Sequence, residues 1–190
     1  MSVAVRPPVM GDAPVGSGSL KPALFLDRDG VINVDHGYVH LPDDTEWIPG
    51  VFELVSSARR AGYVPVVVTN QAGIARGIYS EEDFRDYTRW VHSVFLANNA
   101  PLAATYYCPH HPSAGKGPYM LRCDCRKPAP GMLLAAAKDL GLDLAKSALL
   151  GDKDSDLEAA RAAGVPTRFK IAHGGAAFFE VLPFLQRPMK

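Results

Sequence analysis

Two aspartates directly follow a short apolar run near the amino terminus, in the sequence Ala23-Leu24-Phe25-Leu26-Asp27-Arg28-Asp29-Gly30. Four apolar residues bounded by polar ones are typical of a strand that is covered on both faces, as in a parallel sheet. Ligands of open α/β sheets bind beyond the carboxyl ends of such strands, so Asp27 and Asp29 occupy a position suited to chemistry. Carboxylates this close repel each other, and we expect a divalent cation or a proton to relieve the repulsion.

The composition limits the possible partners and locations. The 190 residues include 20 basic and 20 acidic side chains, so the formal net charge is zero and gives no general attraction for nucleic acid or an anionic membrane. No stretch approaches the roughly 18 consecutive apolar residues of a membrane span, and residues 1–22 lack the apolar centre of a secretory signal. We therefore expect a flexible tail over 1–22, a single domain over 23–190 and a cytoplasmic location.

Helical and strand patterns alternate along the rest of the chain. The patterns predict helices over 51–61, 81–96, 130–140, 155–163 and 176–185, and further strands over 64–68, 102–107, 147–150 and 167–171. Ser80 and Asp83 match a capping box at the start of the second helix. The predicted inner face of that helix consists of Phe84, Tyr87, Val91 and Val94. Strands alternating with helices indicate an α/β fold with a doubly wound, mainly parallel sheet.

Polar residues also end two of the other predicted strands, as Thr69-Asn70-Gln71 and as Gly151-Asp152. Hydrolysis of a phosphate monoester needs a nucleophile, an acid for the leaving oxygen and cations for the phosphoryl oxygens. Asp27 can attack phosphorus to give an aspartyl phosphate. Asp29 can protonate the leaving alkoxide and then activate the water that hydrolyses this intermediate.

The remaining requirements fall to residues at other strand ends. Asp152 can complete a Mg²⁺ site with Asp27, because a hard cation holds carboxylate and phosphate oxygens together. Thr69 can donate a hydrogen bond to the phosphoryl group, and Lys127 can place a positive charge beside the same oxygens. Taken singly, an Asp-x-Asp pair is more often a solvated turn or a helix cap, and the other strand ends can be turns. Only the ordered combination favours a phosphatase.

A cluster of cysteines indicates a second metal. The three cysteines lie within 18 residues and form, with a histidine, two pairs that each have one intervening residue: Cys108/His110 and Cys123/Cys125. Three thiolates and one imidazole are a closed tetrahedral set, typical of structural zinc, and His111 is an alternative to His110. A disulfide is disfavoured because Cys-x-Cys bridges are strained. Since Arg126 and Lys127 follow the last cysteine, zinc would hold two cations at the catalytic face.

The ordered motifs resemble the haloacid dehalogenase (HAD) superfamily of aspartate-nucleophile phosphatases. Residues 25–33 (FLDRDGVIN) resemble its first motif, 66–71 (VVVTNQ) its second, the lysine of 125–128 (CRKP) its third and 149–156 (LLGDKDSD) its fourth. The resemblance covers about residues 22–172. It implies a Rossmann-like core, and Mg²⁺ bound by three groups: the Asp27 carboxylate, the Asp29 main-chain carbonyl and the Asp152 carboxylate.

Within that superfamily, the C-x-H and C-x-C-R-K-P arrangement is similar to heptose bisphosphate phosphatases and histidinol phosphatases. Residues 33–40 (NVDHGYVH), 66–77 and 106–112 resemble the heptose branch. This implies removal of the 7-phosphate from a heptose 1,7-bisphosphate, on an ADP- or GDP-heptose route such as that to lipopolysaccharide. It also implies that Arg126 recognises substrate and Lys127 stabilises the reacting phosphoryl group. The implied substrate contacts are Asp35, His36, Gly37, Tyr38, Asn70, Gln71, Ala72 and Lys153.

The nearest alternative is a histidinol-phosphate phosphatase, which shares both metals and all four motifs. An inactive zinc-containing binding module and a nucleic-acid 3′-phosphatase are alternatives of other classes. Intact catalytic residues argue against the first of these, and the neutral charge argues against the second. We expect a small sugar bisphosphate as the partner, no nucleic acid, no membrane and a monomer. Because no large insertion follows the first or second motif, we also expect no large cap domain.

Overall fold

The computed structural model describes residues 9–10, 19–171 and 178–185, and its strands form one sheet. The strands are β1 (Val9–Met10), β2 (Ala23–Leu26), β3 (Val64–Asn70), β4 (Ala104–Cys108), β5 (Ala148–Gly151) and β6 (Thr167–Lys170). Their spatial order is β1-β4-β3-β2-β5-β6. Strand β1 is antiparallel to β4, and the other five are parallel, which confirms the predicted mainly parallel sheet.

Helices cover both faces of this sheet. They are α1 (Val51–Arg60), α2 (Ala72–Arg76), α3 (Glu81–Ala97), α4 (Gly131–Leu140), α5 (Asp154–Ala163) and α6 (Phe178–Leu185), with 3₁₀ turns at Pro42–Asp44, Gly117–Tyr119 and Leu144–Lys146. Leu24 and Leu26 share one core with residues of α1, α3 and α6, whereas Ala23 and Phe25 share the opposite core with residues of α4 and α5. This two-sided burial is the reason that β2 is an uninterrupted apolar run.

The structure differs from the sequence expectations in several local features. Helix α2 was not predicted, and Val9–Met10, within the expected tail, pairs with Thr105 and Tyr106 of β4. The rest of 1–18, and 176–177 of the predicted final helix, lie outside the described residues. The capping box is confirmed, since Ser80 Oγ accepts from Asp83 N and Asp83 Oδ2 accepts from Ser80 N.

The inner face of α3 contains a correction. Val94 was placed there, but Phe95 is fully buried and Val94 only partly. Continuing the 3.6-residue period from Phe84 through Thr88 and Val91 leads to Phe95. Among the described residues, no helix combines the length and apolar character needed to cross a bilayer.

Candidate active site

The catalytic candidates gather where the strand order reverses. The chain leaves β2 towards β3 and later returns to β5 on the other side of β2, so the carboxyl ends of β2 and β5 form the switch point. Asp27 follows β2, and its N–H donates to Leu150 O at 2.9 Å. Carboxylate oxygens of Asp27, Asp152 and Asp156 lie within 4.8 Å of one another. The predicted convergence of the first and fourth motifs is therefore observed.

Lys127 supplies a fixed positive charge beside Asp27. Its side chain is 1% exposed, and Nζ lies 2.9 Å from Asp27 Oδ1, 2.7 Å from Asp156 Oδ1 and 2.8 Å from Val68 O. Burial alone would lower the pKa of Lys127, but the two carboxylates outweigh burial and raise this pKa. The ammonium group therefore remains charged at neutral pH.

Asn70 positions Lys127 through the main chain. Asn70 lies at the end of β3; its Nδ2 donates to Lys127 O and its Oδ1 accepts from Lys127 N, each at 3.0 Å. Both polar atoms of the amide, which was predicted to contact substrate, are thus bonded to backbone. The contact joins β3, whose carboxyl end carries the second motif, to the lysine of the third motif.

Asp29 has a cation of its own. Arg28 Nε and Nη2 donate to Asp29 Oδ1 at 3.0 and 2.8 Å, and Nη2 also lies 2.9 Å from Oδ2. Asn33 Nδ2 donates to Oδ1 at 3.1 Å. We expected a metal or a proton to relieve the repulsion between the two aspartates. Protein cations also reduce this repulsion, since Lys127 pairs with Asp27 and Arg28 pairs with Asp29.

Asp152 has an acceptor that is free to bind a cation. Its Oδ1 is buried without a hydrogen-bond partner among the described residues. Burial, together with the charge of Asp27, raises the pKa of Asp152 to about 6. Burial likewise raises the pKa of Asp27, opposed by Lys127 and assisted by Asp156. A buried, unpartnered carboxylate oxygen beside two more carboxylates fits a hard divalent cation.

Gly30 permits the close approach of Asp152 to the first motif. Its φ is +87°, and a Cβ atom at this position would lie 2.5 Å from Asp152 Oδ2. A side chain here would therefore both strain the backbone and displace the carboxylate.

The second motif forms a hydrogen-bonded chain. Gln71 Nε2 donates to Thr69 Oγ1 at 2.8 Å and more weakly to Asp29 Oδ2 at 3.4 Å, while Tyr79 OH donates to Gln71 Oε1 at 2.6 Å. Because Thr69 Oγ1 accepts this bond, its hydroxyl hydrogen is available for an anion. Ala72, also predicted to contact substrate, begins α2.

The loop after the first motif borders the same region. Lys153 Nζ lies 3.1 Å from Asp35 Oδ2, and Gly37 N donates to Asp35 Oδ1. Burial alone would raise the pKa of Asp35, but these two contacts outweigh burial and lower this pKa. His36 pairs with Glu46, and Tyr38 is exposed with a φ of 57°. Residues 36–40 line a cavity of about 570 Å³ together with residues 43–46 and Ile78.

The four predicted zinc ligands form a compact, buried group. The Sγ atoms of Cys108, Cys123 and Cys125 are 3.2 to 3.5 Å apart, too far for a disulfide, and His110 Nδ1 lies 3.6 and 3.7 Å from two of them. His111 Nδ1 instead accepts from the N–H groups of residues 113 and 114. The donor set therefore fits a tetrahedral ion held by His110 rather than His111.

The cysteine group is connected to the catalytic residues. Arg126 Nη1 donates to His110 O at 3.1 Å, and Gln71 N donates to Cys108 O at 2.8 Å. Lys127 follows Arg126 directly in the chain. The conformation of the cysteine-containing loop and the position of Lys127 are thus physically linked.

Sequence reasoning missed four residues of this site. Asp156 is 1% exposed and binds Lys127, Arg28 holds Asp29, and Asn33 and Tyr79 bond to predicted site residues. A signal was present only for Asp156, which lies one helical turn after Asp152 within the fourth motif.

Comparison with known proteins gives consistent similarities. Residues 124–169 match the HAD-hydrolase-like family model. The chain is 53% identical over 154 residues to the Vibrio cholerae D-glycero-beta-D-manno-heptose-1,7-bisphosphate 7-phosphatase, covering 81% of this chain and 83% of that protein. It is 46% identical over 178 residues to the Burkholderia mallei D-glycero-alpha-D-manno-heptose-1,7-bisphosphate 7-phosphatase, covering 87% of this chain and 94% of that protein.

A solved structure is similar as well. The D,D-heptose 1,7-bisphosphate phosphatase from B. bronchiseptica, complexed with magnesium and phosphate, is 31% identical and superimposes with a TM-score of 0.70. The match covers 84% of this chain and 86% of that one.

Proposed function

We propose a function from one premise: the chain belongs to the heptose-1,7-bisphosphate 7-phosphatase family of HAD-like hydrolases. Its reaction is the hydrolysis of the 7-phosphate of a D-glycero-D-manno-heptose 1,7-bisphosphate, which gives heptose 1-phosphate and inorganic phosphate. The observation that carries this assignment is the convergence of Asp27, Asp152 and Lys127 at the switch point.

Asp27 is the proposed nucleophile. Arg28 N and Lys127 Nζ both contact Asp27 Oδ1, at 2.7 and 2.9 Å, so Oδ2 is the oxygen assigned to attack phosphorus. As the Oδ2–P bond forms and the bond from phosphorus to the sugar oxygen breaks, Asp29 gives a proton to that oxygen. Asp29 then takes a proton from water, which attacks the aspartyl phosphate and releases phosphate.

Mg²⁺ is the proposed catalytic metal, held by the carboxylates of Asp27 and Asp152 and by the main-chain carbonyl of Asp29. When bound, it supplies positive charge to the phosphoryl oxygens. The unpartnered Oδ1 of Asp152 supports this assignment. Asp156 is already bonded to Lys127 and is assigned to positioning that lysine.

Magnesium affinity should weaken below about pH 6. The pKa of Asp152 is raised to about 6, and Mg²⁺ needs the carboxylate form, so protons compete with the metal for Asp152 below this value. Below pH 6 we expect the affinity to fall with a slope that approaches about tenfold for each pH unit. Above pH 6 we expect the affinity to level off. Titration calorimetry from about pH 5 to 8 measures this. Asp152→Asn should bind Mg²⁺ weakly with less pH dependence, and a flat wild-type profile would contradict the assignment.

A second group of cations is available for the phosphate that is not cleaved. Arg126 and Arg76 both lie near His111, whose pKa is lowered by burial and by these two positive charges. None of the ion pairs among the described residues includes Arg76 or Arg126. Guanidinium groups without a carboxylate partner are suited to a phosphate. We therefore assign Arg126 and Arg76 to the 1-phosphate.

Arg76→Ala should raise the KM for the heptose bisphosphate about tenfold with little change in kcat, because it removes one charge-assisted contact to the distant phosphate. Steady-state kinetics with heptose 7-phosphate provides the comparison, since this substrate has no 1-phosphate and its KM should not change. Arg161→Ala, an exposed arginine on α5, is the matched control. Equal KM increases for both substrates would reject the assignment.

Zinc is the proposed ion at Cys108, His110, Cys123 and Cys125, and its role is to hold Arg126 and Lys127 in place. We expect Cys123→Ser to lose zinc and to lower kcat/KM by roughly 100-fold, although Cys123 touches no substrate. His111→Ala should keep one zinc per chain, because His111 bonds only to the loop backbone. Metal analysis and kinetics of both variants test this. Zinc loss from His111→Ala would assign the fourth ligand to His111.

Substrate choice can be tested directly. Phosphate release from the α and β anomers of the heptose 1,7-bisphosphate and from histidinol phosphate should give the highest kcat/KM with one of the heptose anomers. A clear preference for histidinol phosphate would overturn the substrate assignment while leaving the phosphatase mechanism intact.

A further inference from the structure

Arg28 is in contact with both aspartates of the first motif. Its backbone N–H donates to Asp27 Oδ1 at 2.7 Å, while its guanidinium makes the fork with Asp29 described above. The same Nη2 donates to Val39 O at 2.6 Å, which connects Asp29 to the loop after the first motif.

The guanidinium is held in place by α3. Its carbon lies 5.6 Å from the ring centroid of Phe84 and 5.1 Å from that of Tyr87, and the side chain is 3% exposed. A planar cation that is stacked on aromatic rings and donates through Nε and Nη2 to three acceptor oxygens has little rotational freedom. It therefore fixes the orientation of whatever it binds.

The bonds to Asp29 distinguish its two oxygens. Oδ1 accepts from Arg28 Nε, Arg28 Nη2 and Asn33 Nδ2, all within 3.1 Å. Oδ2 accepts from Arg28 Nη2 at 2.9 Å and only weakly from Gln71 Nε2, at 3.4 Å. Oδ1 is therefore fully occupied by donors, and Oδ2 is the oxygen with capacity for a proton.

We propose that Arg28 is a positioning residue that turns Asp29 so that Oδ2 delivers the proton to the leaving oxygen. This inference rests on the role given to Asp29 in the proposed function. General acid catalysis requires the proton donor to be within hydrogen-bond reach of the leaving atom, so a carboxyl that is free to rotate loses much of its effect. Lysine cannot reproduce the fork, because its ammonium group is a single point charge.

The leaving group provides a test that a merely structural role would not pass. A sugar alkoxide needs a proton as it leaves, whereas nitrophenolate does not. The quantity to compare is kcat/KM for the heptose bisphosphate and for p-nitrophenyl phosphate, since kcat/KM reports the phosphorylation of Asp27 and not the later hydrolysis. Arg28→Met should lower kcat/KM about 100-fold with the sugar and less than about fivefold with the aryl ester.

Asp29→Asn shows the pattern that loss of the proton donor produces with the two substrates. The double variant Arg28→Met/Asp29→Asn should show no further loss with the sugar, because both substitutions remove the same function. Arg28→Lys and Asn33→Ala alter fewer contacts. We expect them to lower kcat/KM with the sugar about tenfold, and again to affect the aryl ester less. Melting temperature and zinc content verify folding, and these two variants carry the test if Arg28→Met does not fold.

Equal losses with both substrates, or additive losses in the double variant, would overturn the inference in favour of a structural arginine. A wild-type chain that is inactive on heptose bisphosphate would reject the proposed function instead. The comparison of fructose 1,6-bisphosphate with p-nitrophenyl phosphate would then still decide the role of Arg28.

Discussion

Replacing Asp27 with asparagine should lower phosphate release by at least about 10⁴-fold while the chain stays folded. An amide cannot form the acyl phosphate, so the covalent route is lost. The fold should tolerate the change, because Lys127 keeps its contact with Asp156 at 2.7 Å and asparagine retains an oxygen for Arg28 N. Phosphate release under single-turnover conditions and the melting temperature measure the two effects.

The matched control is Asp86→Asn, an exposed aspartate on α3 that pairs with Arg89 at the surface, which should have full activity. Unchanged phosphate release by Asp27→Asn would remove the nucleophile and revive the interpretation of the chain as an inactive zinc-containing binding module.

Lys127→Met should abolish activity and also destabilise the protein by about 3 to 5 kcal/mol. It leaves Asp27 and Asp156 buried together without their shared cation, whereas Asp27→Asn removes a charge from the same cluster. Urea denaturation in the presence of EDTA measures the free energy of unfolding without help from a bound metal.

The loss in Lys127→Met should depend on pH. The pKa of Asp27 is already raised by burial, and removal of the lysine raises it further, so the folded state binds protons that the unfolded state has released. Stability therefore falls as pH rises through the interval between the two pKa values, and it recovers on acidification. Lys170→Met is the control, since this exposed lysine pairs with the exposed Asp154 at the surface and should cost less than about 1 kcal/mol. Equal losses in the two variants would contradict the buried network.

The sequence predicted the positions of the catalytic strand ends because the necessary signals are local. Apolar runs that end in Asp27, Thr69 and Asp152 are readable without tertiary information. The order of the strands is not local, because it depends on pairing between segments that are far apart in the chain, and only the structure supplied it. Helix α2 is only five residues long, too short for its periodicity to be distinguished from a turn.

The missed residues depend on contacts between distant parts of the chain. Asp156 lies in the first turn of α5, where an acid is expected merely to stabilise the helix end. Arg28 lies between two aspartates in the sequence, and its aromatic partners Phe84 and Tyr87 come much later in the chain, on α3. The choice between His110 and His111 required knowledge of which ring faces the thiols, since the two are adjacent in the chain.

The ion-pair network also determines the order in which ligands can enter. Before Asp29 takes up the proton that it donates in the reaction, five acids face three bases, which leaves two negative charges: Asp27, Asp29, Asp35, Asp152 and Asp156 against Arg28, Lys127 and Lys153. One divalent ion makes this centre electroneutral. A phosphate dianion approaching before that ion would be repelled, so ordered addition, with metal first and sugar second, follows from electrostatics alone.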